Sequence, residues 1–217
     1  MTGLQIDSIR KSFGEKTILQ DVCITCGNNE IVGLLGRNGT GKSTIFKIVF
    51  RMMEAESYFV RIDNKVIQNQ FDLKGNLSYL SQNHFLPRNI RIKEFIRLFC
   101  STENADFLRE HSLVKPFLNS KVRELSGGEQ RIIEILLIIF SESKFAMLDE
   151  PFHSLSPKVI QEIKTLIKEQ SKHKGFIISD HNYQDVLEIS NRNYLLSETS
   201  VKAIQNVEDL RFYKYLH

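Results

Sequence analysis

Ile31-Val32-Gly33-Leu34-Leu35-Gly36-Arg37-Asn38-Gly39-Thr40-Gly41-Lys42-Ser43 joins a short apolar run to the pattern G-x-x-x-x-G-K-S. A run that is apolar at every position marks a strand buried on both faces, as in a parallel sheet. Thr44 to Met52 then reads as the opening of a helix. The pattern's glycines, Gly36 and Gly41, let backbone amides approach phosphate oxygens. Lys42 brings a point charge to the β- and γ-phosphates, and Ser43 offers a hydroxyl for Mg²⁺. The helix N-terminus behind them adds a favourable dipole. Strand, loop and helix together imply nucleotide binding.

Upstream of this unit the chain reads as a hairpin. Leu4-Gln5-Ile6 opens one strand, Gly14-Glu15-Lys16 turns, and Ile18 to Cys26 returns. Downstream, Tyr58 to Ile67 is a second hairpin turning at Asp63-Asn64, and Asn76 to Leu80 is a short strand leading to Gln82. From Ile90 to about Leu125 the texture is helical, with Ile92, Phe95, Ile96 and Phe99 at i, i+3, i+4 and i+7. Lys144 to Leu148 and Gly175 to Ser179 are strands flanking a helix over Pro157 to Ser171. Strands alternating with helices predict a mostly parallel α/β sheet, with 83–124 inserted into it.

Two strand ends carry chemistry. Phe145-Ala146-Met147-Leu148 runs into Asp149-Glu150, and ligands of open α/β sheets bind at the carboxyl ends of strands. Asp149 there suits Mg²⁺, a hard cation that prefers oxygen. Glu150 can direct an attacking water as general base. Without a phosphate loop, both would read as ordinary loop carboxylates. Ile178-Ser179-Asp180-His181 is the second such end. A lone His is usually structural, but at a strand end His181 is placed for a γ-phosphate contact. Gln82 alone is uninformative. Phe13 is either core or, beside a hairpin turn, a surface on which a base stacks.

Leu125-Ser126-Gly127-Gly128-Glu129-Gln130 precedes another apolar run. Ser126 and Glu129 form a capping box, and the same cap leaves the amides of Gly127 and Gly128 at a helix N-terminus able to bind an anion. One chain does not need two γ-phosphate sites, so the second is expected to serve another protomer's nucleotide.

Composition sets bounds. A chain of 217 residues, 41% hydrophobic and 25% charged, is ordinary for a globular domain with an insertion. A net charge of +3 is too small to imply nucleic acid. The basic stretch Arg88 to Arg97 reads as a solvated face or an acidic partner's surface. No signal peptide is evident, with Asp7 interrupting the N-terminal residues, and Ile135 to Phe140 is far shorter than the ~18 residues of a membrane span. A cytoplasmic protein is expected, able to dock on a membrane protein. Three cysteines cannot all pair, which suits a reducing compartment. Cys23-Ile24-Thr25-Cys26 is formally C-x-x-C, but on a strand its two sulfurs fall on opposite faces.

In combination these residues resemble the ATP-binding subunit of ABC transporters, over about residues 3 to 197. Leu125 to Gln130 carries the resemblance most specifically. It implies an α/β P-loop NTPase fold in one domain of residues 1–217. A RecA-like core sheet (1–82 and 126–217) carries an N-terminal antiparallel β subdomain and a short helical insertion, about 83–125. Matched residue by residue, Phe13 is the aromatic that stacks on adenine. Gly36, Asn38, Gly39, Gly41, Lys42, Ser43 and Thr44 belong to the phosphate loop. Gln82 is the glutamine that reaches Mg²⁺ and the membrane partner. Ser126, Gly127 and Gly128 are the signature that closes over ATP in the opposite subunit. Asp149 is the magnesium carboxylate, with Ser43 and Gln82 beside it. Glu150 is the catalytic carboxylate and His181 the switch histidine. ATP and Mg²⁺ are the implied cofactors. The implied partners are a second ATPase subunit and transmembrane permease subunits, on the cytoplasmic face of the inner membrane.

Two departures stand out. Ser156 occupies the position of an Asp that normally closes the loop after Glu150-Pro151, and the segment between Gln82 and Leu125 is short for the family. Both leave room for an alternative, a soluble ABC-type ATPase that acts as an assembly or regulatory factor. Asp180-His181-Asn182 and the Tyr213 to Leu216 ending are similar to lipopolysaccharide-export ATPases.

Overall fold

The computed structural model describes residues 2–215. The two hairpins merge into one antiparallel sheet. Strand β1 (Leu4–Phe13) pairs with β2 (Lys16–Cys26) on one side and β4 (Ser57–Ile62) on the other, and β5 (Lys65–Val66) extends the edge. Asp63 and Asn64 have φ of 47° and 65°, the left-handed pair that a tight hairpin turn requires. Cys26 is buried and Cys23 exposed, so no C-x-x-C site forms.

A second sheet of six strands has the order β10-β9-β3-β8-β7-β6. Its centre is β3 (Ile31–Leu35), flanked by β8 (Gly175–Ser179) and β9 (Arg192–Ser197); β7 (Phe145–Asp149) and β6 (Leu77–Leu80) lie beyond β8. All these neighbours run parallel, and only β10 (Ser200–Ile204) is antiparallel, against β9. The continuous apolar runs now have a cause. In β3, Ile31 and Leu35 enter one core while Val32 and Leu34 enter another, and in β7 Ala146 and Leu148 oppose Phe145 and Met147. One core lies under the antiparallel sheet and α1 (Lys42–Val49); the other lies under α4 (Gly127–Ile139) and α5 (Pro157–Gln170). Both faces of the strands are therefore covered.

The insertion is helical but not continuous. It breaks into α2 (Ile92–Phe99), α3 (Thr102–Glu110) and two 3₁₀ turns at Lys115–Phe117 and Val122–Glu124. Cys100 is extended and bridges to Ser141, after which Ser101 caps a new helix through the Asn104 amide. Ile92, Phe95 and Ile96 nonetheless face the α4 core, as their spacing predicts. Likewise α1 ends at Val49, short of the expected Met52, because Arg51 turns left-handed at φ 61°. The β9–β10 hairpin, α6 (Tyr183–Leu187) and α7 (Val207–Phe212) lie where sequence patterning gave no signal. The Tyr213 to Leu216 ending is described only as far as Tyr215; Leu216 lies outside the described residues.

Candidate active site

The phosphate loop leaves the carboxyl end of β3 and enters α1. Gly36 sits at φ 156° where a Cβ would lie 2.8 Å from the Leu196 carbonyl, and Gly41 caps α1 at φ 111° against Ile18 and Leu19. Both positions are glycine because the chain's own packing leaves no alternative. No side chain caps α1, and its first turn carries no acid, so its amides face the cleft unneutralised. Lys42, only 7% exposed, donates to the Gly36 carbonyl at 2.6 Å and the Arg37 carbonyl at 3.1 Å. Burial pulls its ammonium below the ordinary value, against the opposing pull of Glu150, Asp149 and Asp180.

Asp149 ends β7 and is 1% exposed. Its Oδ2 accepts from the Tyr79 hydroxyl at 3.2 Å, while Oδ1 is buried without a hydrogen-bond partner. Burial raises its pKa, and contacts with Ser43 and Tyr79 draw it back down. A buried carboxylate with an oxygen to spare, beside the Ser43 hydroxyl, is the donor set a hard cation takes. These residues therefore fit Mg²⁺. Glu150 follows at φ 51°, its amide donating to the Ser179 carbonyl at 2.7 Å. Its Oε2 accepts from Gln82 Nε2 at 2.9 Å. Gln82 and Glu150, far apart in sequence, are thus one unit.

A cleft of about 560 Å³ opens over the loop. Phe13, Asn38, Gly39, Gly41, Lys42, Ser43, Thr44, Gln82, Glu150 and His181 line it. Gly36 and Asp149 are buried and do not line it. Phe13 is 50% exposed at the rim, with Lys11 Nζ 4.9 Å from its ring centre, so it is not a core residue. His181 Nδ1 lies 3.1 Å from the buried Asp180 carboxylate, which also accepts from the Phe152 and Asn182 amides.

Ser126, Gly127 and Gly128 do not line that cleft. Ser126 caps α4 with the expected box: Glu129 Oε2 accepts from the Ser126 amide at 2.8 Å and its hydroxyl at 2.7 Å. Gly127 and Gly128 are exposed and line a separate opening of about 300 Å³, which shares Gln82, Glu150 and His153 with the first. A Cβ on Gly128 would touch nothing within 4 Å. Ser156, at the departure from the family pattern, caps α5 by accepting from the Val159 amide.

Three site residues were not legible in sequence. Arg131, buried on α4, donates to the carbonyls of Ser81, Asp149 and Glu150 at 2.6, 2.8 and 3.0 Å. Glu134, fully buried one turn on, accepts from the amides of Phe85 and Leu86 and from Gln130 Nε2, with His84 Nδ1 2.9 Å away. Together they lash the Gln82 loop and the end of β7 to the signature helix. Only their i, i+3 spacing on a helix that is otherwise apolar beyond Gln130 hinted at this. The third is His153, whose ring lies 5.3 Å from that of His181.

Comparison with known proteins identifies the family. The family model described as ABC transporter matches residues 19–153. The lipopolysaccharide export system ATP-binding protein LptB of Haemophilus influenzae is 28% identical over 224 residues, covering 97% of this chain and 93% of that one. Its counterpart in Escherichia coli K12 is 28% identical over 212 residues, covering 91% and 88%. In fold, the chain is similar to an ATP-binding subunit of an ABC transporter, with a TM-score of 0.84, 23% identity and coverage of 99% and 94%. It also resembles part of an ATP-bound bacterial Atm1-family ABC exporter, with a TM-score of 0.81, 19% identity and coverage of 99% and 41%. A family match that runs through the phosphate loop, Gln82, the signature and both carboxylates leaves one assignment: this chain belongs to the ABC transporter family, as an ATP-binding subunit and an ATPase.

Proposed function

We propose that the chain hydrolyses ATP with Mg²⁺ and powers a membrane transporter by closing a head-to-tail dimer over two nucleotides. The observation that carries this is one cleft in which Lys42, Ser43, Gln82, Glu150 and His181 converge on an uncapped helix N-terminus. Phe13 stacks on the base at the rim. The phosphate-loop amides and Lys42 bind the phosphates. Glu150, steadied by Gln82, takes the proton from the attacking water, and His181, held by Asp180, contacts the γ-phosphate. Ser43, Gln82 and Asp149 hold Mg²⁺, which when bound neutralises phosphate charge. Ser126, Gly127 and Gly128 complete the partner's site.

Support for a membrane partner comes from the insertion. Ile90, Glu94, Phe95, Arg97 and Leu98 line a groove of about 310 Å³, where Leu98 is 77% exposed. No helix among the described residues is long and apolar enough to cross a membrane. The two LptB proteins named above belong to a lipopolysaccharide export system, which supports a place on the cytoplasmic face of the inner membrane. The test is Mg²⁺-dependent phosphate release from ATP by the purified protein, combined with recovery from native membrane extracts. Release together with a co-purifying multi-span protein is expected. Release with soluble complexes alone supports instead a soluble assembly or regulatory ATPase, and no release rejects hydrolysis.

A further inference from the structure

His153 has no role in the cycle proposed above, yet it stands at the mouth of the cleft beside two groups that do. Its amide donates to the Glu150 carbonyl at 3.4 Å, closing a tight turn between left-handed residues, Glu150 at φ 51° and Ser154 at φ 60°. That turn folds the His153 ring back over the end of β7, at 71° to the ring of His181. One side-chain atom from each of Glu150, His153 and His181 lies within 4.8 Å of the other two.

We propose that these three residues form a transition-metal site, separate from the Mg²⁺ site and of opposite effect. Two imidazoles and one carboxylate suit Zn²⁺ or Co²⁺, whereas Mg²⁺ takes oxygen ligands almost exclusively. Bonds of about 2.0 Å to such an ion require ligand atoms roughly 3.3 Å apart. The His153 imidazole is exposed, so its ring can rotate to narrow the gap without moving the backbone. A second observation points the same way. His181 Nδ1 sits 3.1 Å from the Asp180 carboxylate, and that carboxylate is fully buried and fixed by two amides. A carboxylate behind one ring nitrogen orients the other toward an ion, the arrangement that holds metal-binding histidines. His111 beside Glu162 and His84 beside Glu134 are single-imidazole pairs, a weaker donor set.

An ion held here occupies both the base and the γ-phosphate contact, so it blocks turnover until nucleotide or a chelator displaces it. This consequence rests on the proposed roles of Glu150 and His181; the binding itself does not. The test uses tag-free, full-length, nucleotide-free protein titrated with Co²⁺ and followed by its visible d–d absorption, then back-titrated with Zn²⁺. One Co²⁺ per chain is expected. His153→Ala and His181→Ala are each expected to weaken it at least tenfold, and His111→Ala to leave it unchanged. Metal-free thermal melts of each variant verify that it is folded. Binding to wild type no tighter than to the His153→Ala/His181→Ala double variant overturns the site, as does an equal loss in His111→Ala. In phosphate release, Zn²⁺ is expected to inhibit wild type over the range in which it binds, and at least tenfold less potently in His153→Ala. Undiminished inhibition in that variant rejects the proposed block. Absence of release from metal-free wild type overturns the hydrolytic reading instead, and the nucleotide-free titration decides the site separately.

Discussion

Two helix starts, those of α1 and α4, solve the same electrostatic problem in opposite ways. Each exposes amide groups with no partner in the helix. At α1 the cap is Gly41, no side chain accepts from the first turn, and no acid is present, which suits an anion as acceptor. At α4, Ser126 and Glu129 cap each other's amides from within the chain. Their glycines differ too. A Cβ at Gly36 or Gly41 would collide with the chain itself, whereas one at Gly128 would meet open space. The first start is built for a ligand of its own chain. The second is stable by itself, and its glycine leaves room for something that arrives from outside.

The sharpest way to break this comparison is at the cleft. Glu150→Gln keeps the hydrogen-bonding shape but removes the base, so phosphate release should fall by about 10²–10⁴-fold. ATP binding should persist, and size-exclusion chromatography with ATP should show a trapped dimer. Turnover at the wild-type rate would show that another group accepts the proton.

Gly128→Ala then separates the two starts. Alanine is the better helix residue by up to about 1 kcal/mol, so the melting temperature should hold or rise. Single-chain ATP binding should also hold. Phosphate release should nevertheless drop on the order of 10²-fold, the effect of spoiling a preorganised anion site. A variant as active as wild type would deny α4 any part in hydrolysis.

Glu134→Leu probes the link between the regions. It strands the Phe85 and Leu86 amides and frees the Gln82 loop from α4. A loss of about 2–4 kcal/mol in chemical denaturation is expected, with slower phosphate release. Unchanged stability would show that the loop is held elsewhere.

The smallest expected effect lies away from both starts. Lys174 is buried, donates to the Ser141 carbonyl at 2.5 Å, and its ammonium is drawn down to about 8 by burial, partly offset by Cys100. The unfolded chain keeps the ordinary value of 10.5. Between those values the unfolded state holds more protons, so stability should rise with pH from about 8 to 10.5. Relative to Lys174→Met the rise should be on the order of 1–3 kcal/mol. Parallel stability curves for the two proteins would remove this lysine from the account.

Local rules made much of the architecture legible. Ile31 to Leu35 and Phe145 to Asp149 read as strands because each is apolar throughout, and Asp63-Asn64 read as a turn because few residues tolerate φ above zero. Patterning failed where elements depend on distant partners. Strand β9 carries polar residues such as Arg192 and Asn193 and is held by β3, a pairing invisible along the chain. Arg131 and Glu134 failed to announce themselves for the same reason, since most of their partners lie far along the chain, in the Gln82 loop and at the end of β7.

By itself the sequence determined the phosphate loop, the α4 cap and the residue types of the site, because glycine geometry, capping and apolar periodicity act over a few neighbouring residues. Only the tertiary structure decided which of them meet. Parallel strands must be joined through long crossovers, so the ends of β3, β6, β7 and β8 come together only when the sheet forms. That assembly sets Gln82 against Glu150, leaves Asp149 Oδ1 without a partner, brings His153 beside His181, and keeps Gly127 and Gly128 out of their own chain's phosphate cleft.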